Sequence, residues 1–131
     1  MEYVAVIVAA AGAYAFGALW YMINAKVWVE AAGVETDENG RPANGSSPSP
    51  YILSAICMIL VAGMMRHMFS MAEIDTVNKG FTAGLGIGAF LALPWILTNY
   101  AYAMRPRMLS VIDGAYAVIG CTIIGIILAL F

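Results

Sequence analysis

Asp113 is the residue whose surroundings most demand a chemical explanation. It lies in LTNYAYAMRPRMLSVIDGAY, residues 97–116, beyond the corner Arg105-Pro106-Arg107. It stands about one and a half turns inside the apolar segment that follows. A carboxylate within a membrane helix is costly on insertion scales, so it normally has a partner or a task. Helix rise puts it ~8 Å in from the near end of its segment. The candidates at that depth are Asn24, Lys26, Ser54, Asn99, Tyr100 and Arg105. Arg66 falls roughly 15 Å further across by the same rise, too far for a direct ion pair. Two chemistries fit this set. One is a polar pocket that binds a proton or an ion. The other is a lock, in which Asp113 bonds an amide, a tyrosine hydroxyl or a lysine and fixes its helix in place.

Other reactive residue types are sparse. His67 is the single histidine and sits among Met64, Met65, Met68 and Met71. Thioethers suit Cu(I), and an imidazole can be an axial haem ligand. Methionine, however, commonly fills irregular apolar gaps, and a bis-histidine haem would need a second chain. No metal or cofactor is expected. Cys57 and Cys121 fall ~9 Å apart along the bundle axis, beyond the reach of a disulfide. Gly84-Leu85-Gly86-Ile87-Gly88 lies within an apolar run, without the strand-turn-helix setting of a nucleotide fingerprint. No nucleophile–base pair is visible, so the pattern does not indicate an enzyme.

The elements that must position Asp113 follow from composition. Of 131 residues, 63% are hydrophobic and 11% charged, and the mean hydropathy is +0.85. A soluble domain this small cannot hide so much apolar material. A net charge of −2 offers no footprint for nucleic acid. Met1-Glu2-Tyr3 lacks the basic start of a secretory signal, and the run behind it is too long for one. The expected fold is all-α, a single membrane domain of four transmembrane helices over residues 3–29, 51–70, 80–104 and 108–131. Residues 30–50, rich in Gly, Pro, Ser and Asn, form a solvated loop.

Small residues recur every fourth position. Ala5, Ala9, Ala13 and Gly17 mark the first span, Gly80, Gly84, Gly88 and Ala92 the third, and Ala117, Cys121, Gly125 and Ala129 the fourth. Such faces let backbones approach closely. Trp20, Tyr21, Asn24, Lys26 and Trp28 read as an interfacial anchor belt. Pro94 predicts a kink, because it lacks an N–H and its ring displaces the carbonyl of Phe90. Lys26, Arg41, Arg105 and Arg107 outnumber Arg66 and Lys79 across the membrane. That favours cytoplasmic first and third loops with both termini outside, in a bacterial inner membrane.

Several short motifs together carry a family resemblance. They are Phe16-Gly17-Ala18-Leu19-Trp20-Tyr21 with Trp28, then Asn99-Tyr100, Arg105-Pro106 and Ile112-Asp113-Gly114-Ala115-Tyr116. The chain resembles, over nearly its whole length, the small bacterial and fungal membrane proteins grouped as domain of unknown function 1761. The resemblance implies a four-helix membrane protein and supplies no reaction, ligand or catalytic residue. Three roles are open on these grounds. The first is a structural or accessory protein, lipid-embedded, that forms a homo-oligomer or docks on a larger membrane complex. The second is a small proton- or ion-coupled transporter using Asp113. The third is an enzyme acting on lipid or quinone at the tyrosine-rich face.

Overall fold

Four stretches of helix are long and apolar enough to cross a bilayer: Glu2–Ile23, Ser49–Met71, Val77–Tyr102 and Arg107–Leu128. They come from a computed structural model that describes residues 1–131. In chain order the helices are α1 (Glu2–Ile23), α2 (Ala25–Ala32), α3 (Ser49–Met71), α4 (Val77–Ile87), α5 (Leu93–Tyr102) and α6 (Arg107–Leu128). A π-helical stretch, Gly88–Ala92, joins α4 to α5 within the third span. At ~1.5 Å per residue, each span matches a ~30 Å hydrocarbon core.

The first expected helix, residues 3–29, is in fact two. Asn24 ends α1 by folding its side chain back, so that Nδ2 donates to the Trp20 carbonyl at 2.9 Å. A short amide side chain that competes for backbone partners breaks a helix without any glycine or proline. The chain restarts at once as α2, which Gly33 closes in the left-handed conformation at φ 66°.

The third span departs from a plain kink in a similar way. Pro94 cannot donate, and its ring would crowd the carbonyl of Phe90. The preceding turn widens to absorb the misfit, and the Leu93 N–H reaches back to the Gly88 carbonyl. The span therefore starts at Val77, where Thr76 accepts from the Lys79 N–H, and ends at Tyr102. The two short connections close alike. Glu73 and Met104 take positive φ of 53° and 54°. Behind them, the N–H of Ile74 bonds to the Phe69 carbonyl at 3.0 Å, and that of Arg105 to Tyr100 at 2.9 Å. These bonds satisfy helix-end carbonyls that lipid could not.

Span α6 is the hub. It packs against α1 on one side and against α4, the π stretch and α5 on the other, while α3 leans mainly on α1. The contact with α4 is the most extensive of all. There Gly80, Gly84 and Gly88 run antiparallel to Gly125, Cys121 and Val118, and a Cβ at Gly84 would stand 2.5 Å from the Cys121 carbonyl oxygen. Ala5, Ala9, Ala13 and Gly17 are buried along α1. The first three join Ala62, Met65 and Phe69 of α3 and Ile124 and Leu128 of α6 in the main core. Only 22 of 131 residues are buried, and the outer surface carries large apolar side chains along all four spans. In water that surface would aggregate. In a bilayer it is the solvated face.

Candidate functional site

The polar corner is assembled from four elements. The Asp113 carboxylate accepts three hydrogen bonds, each from a neutral donor on a different helix. Tyr21 on α1 donates to Oδ1 at 2.5 Å, and the Trp28 indole on α2 donates to the same oxygen at 3.1 Å. Tyr100 on α5 donates its hydroxyl to Oδ2. One residue earlier on α6, the Ile112 carbonyl accepts from the Trp20 indole at 3.0 Å. No cation is within ion-pair distance of Asp113, since the two salt bridges of the chain are Arg66–Glu2 and Lys79–Asp75. Hydrogen bonds to a charged acceptor are roughly twice as strong as neutral ones. A carboxylate can therefore be held without a counter-ion when donors cover both oxygens.

Packing fixes the donors in turn. Tyr21 lies edge-on to Trp28, with ring centroids 5.9 Å apart, and edge-on to Tyr116 at 5.2 Å. Tyr116 fits because residue 17 is glycine: a Cβ there would come within 2.7 Å of the tyrosine ring. On the other flank, Gly114 leaves room for the Leu93 side chain, whose Cδ1 would be 2.5 Å from a Cβ. A glycine next to Asp113 thus lets α5 close and bring Tyr100 into reach. The break at Asn24 matters for the same reason, because α2 can then swing Trp28 onto α6. A small second core of Ala31, Ala32 and Leu109, with Trp28 and Tyr100 against it, seals this end. Arg105 ties it further by donating to the Ala32 carbonyl at the C-terminus of α2, where a positive charge also complements the helix dipole.

Of the neighbours expected at the depth of Asp113, Tyr100 alone bonds it. Asn24 is spent on the Trp20 carbonyl and Ser54 on the Pro50 carbonyl. Arg105 reaches α2 instead, while Lys26 and Asn99 are exposed. Depth along a helix does not specify direction around it. Asn99 precedes Tyr100 by one residue, about 100° of turn, and Lys26 precedes Trp28 by two, about 200°. The two donors missed by depth alone, Tyr21 and Trp28, belong to the residues read as an anchor belt. Their amphipathic side chains suit an interface, but here the polar ends turn inward. The usable signal was that an unpaired carboxylate needs donors, and that a tyrosine and two tryptophans stand at its level.

The other residues singled out are dispersed. His67 is exposed on α3, and no three His, Cys, Asp or Glu side chains converge as metal ligands. Cys57 and Cys121 are free thiols. The five principal surface hollows lie away from Asp113, which lines none of them. As arranged, the corner can hold a charge and fix four helices.

Comparison with curated proteins and with solved structures returned no match. The profile of a family described as Protein of unknown function (DUF1761) matches residues 4–129, which reaches all four spans and includes every residue of the corner. The chain belongs to the DUF1761 family of proteins of unknown function.

Proposed function

We propose that the protein is a structural or accessory membrane component, and that Asp113 is its internal clamp. The observation that carries this reading is that Tyr21, Trp28 and Tyr100 together occupy both oxygens of the carboxylate. A transport site must exchange its partners during a cycle. This one has Oδ1 covered by Tyr21 and Trp28, which wedge each other edge-on, and Oδ2 by Tyr100, which packs on the small core of Ala31, Ala32 and Leu109. The clamp holds α1, α2, α5 and α6 at the end that bears Lys26, Arg41, Arg105 and Arg107, four of the six Lys and Arg of the chain, a bias that favours a cytoplasmic location.

The partner is a membrane helix, from a second copy or a larger complex. Spans α3 and α4 make no extended contact with each other. Between them is an apolar hollow of about 290 Å³ lined by Met68, Phe69, Ile74, Ala83, Ile87 and Leu91. Native mass spectrometry in mild detergent tests this, and a dimer or a co-purifying subunit is the expected result. A strictly monomeric species without partner at every loading would remove the docking role.

A second reading, a small proton- or ion-coupled transporter, draws on the π stretch. Such irregular turns are frequent at functional sites, and this one is in the span that carries Tyr100. Proteoliposome flux of the wild type and Asp113→Asn separates the two. Flux abolished by the substitution would favour transport, and equal flux would leave the clamp.

A further inference from the structure

The opposite end of the bundle carries a second polar cluster that the clamp does not use. Between the start of α1 and the last turns of α3 lies a hollow of about 470 Å³. Its rim holds Glu2, Arg66, His67 and Ser70, and Leu60 and Met64 line its apolar length. Arg66 is the informative member. A guanidinium has five N–H donors, and the fold uses few of them. Nη1 donates to the Leu128 carbonyl at 3.3 Å. Nε is buried without a partner. Nη2 stands 3.9 Å from Glu2, an ion pair beyond hydrogen-bond reach. His67, Ser70 and Glu2 are exposed beside it.

The geometry points to a binding site for a phospholipid whose headgroup carries both a phosphate and a primary ammonium, a phosphatidylethanolamine. The phosphate meets Arg66, with His67 and Ser70 as further donors, because a guanidinium matches phosphate oxygens. The ammonium meets Glu2, which accepts from N–H. The acyl chains run along Leu60 and Met64 into the bilayer. The carboxylate sets the choice among lipids. It repels a net anionic headgroup and has no hydrogen to receive from a quaternary choline.

The test uses the full chain reconstituted in vesicles of equal parts phosphatidylethanolamine, phosphatidylglycerol and phosphatidylcholine with matched acyl chains. Mild extraction is followed by native mass spectrometry of retained lipid. We expect phosphatidylethanolamine adducts to exceed each of the others by about threefold, the size that an exposed ion pair supplies. Glu2→Gln brings phosphatidylethanolamine and phosphatidylcholine to parity, and Arg66→Gln lowers all three adducts. Arg66 also ties α6, so its variant is informative only where it melts with the wild type. Glu2→Gln decides by itself, since Glu2 is at the exposed start of a helix. Equal adducts in the wild type, phosphatidylglycerol in the lead, or a preference unchanged by Glu2→Gln would each overturn the proposal.

Discussion

Adding one carbon at Gly84 should loosen the bundle, whereas the same change at Gly86, two residues on, should not. A Cβ at Gly84 would stand 2.5 Å from the Cys121 carbonyl oxygen and 3.0 Å from the Thr122 Cα. Ordinary C···O approaches are about 3.3–3.6 Å, so α4 must retreat from α6 by roughly 1 Å. Both obstructing atoms are backbone, and no rotamer change relieves them. A gap of that size forfeits about a quarter to a half of each dispersion contact along the seam, and this seam is the most extensive in the molecule. Overpacking of this kind typically costs about 1–3 kcal/mol, and we expect Gly84→Ala to fall in that range. A Cβ at Gly86 meets nothing within 4 Å. Spans unfolded in detergent stay largely helical, so the usual gain from replacing a helical glycine shrinks, and Gly86→Ala should stay within about 0.5 kcal/mol of wild type. Denaturant titration in mixed micelles, followed by tryptophan fluorescence, measures both. Equal effects of the two substitutions would refute the packing of α4 on α6.

Three further outcomes are expected. Trp28→Phe stays aromatic but smaller and removes one donor to Asp113, so it should lower stability in the same titration by at least about 1.5–3 kcal/mol, the usual range for a bond to a charged group. Asp75 is outside the spans, and Lys79, 2.8 Å away, holds its carboxyl below the usual range. A lowered folded value means that the pair helps above the ordinary titration near 3.8 and that this help fades as pH falls through the lower value. Any stability difference between wild type and Asp75→Asn should thus be small at neutral pH and vanish in acid, as pH-dependent melting would report. Cys57, half-buried, should react with a maleimide before the buried Cys121, as mass-resolved labelling would record.

The coarse architecture was legible because the bilayer imposes it: a run of apolar residues of the right length has few alternatives to a spanning helix. The need of Asp113 for partners was legible for a similar reason, since a lone carboxylate in oil is too costly to leave bare. Which residues would answer that need was not. Asn24 breaks the first helix with a side-chain bond of its own, a local competition that hydropathy does not register. Without that break Trp28 would be counted as an anchor on a continuous helix. Pro94 announced an irregularity, but a proline can be absorbed by a kink or by a widened turn, and the choice depends on how α4 and α5 must each sit on α6. Gly17 and Gly114 likewise serve the corner only through Tyr116 and Leu93, neighbours brought in by the tertiary fold.

The clamp itself is tested most directly by a double-mutant cycle on Tyr100 and Asp113. Tyr100→Phe, Asp113→Ala and the double variant are unfolded under the same conditions, and the interaction energy is taken from the four stabilities. If the hydroxyl and the carboxylate hold α5 to α6, the two single losses should sum to about 1.5–3 kcal/mol more than the loss in the double variant. Losses that add to within about 0.5 kcal/mol would mean that the two side chains act independently, and Asp113 would not be the clamp of this bundle.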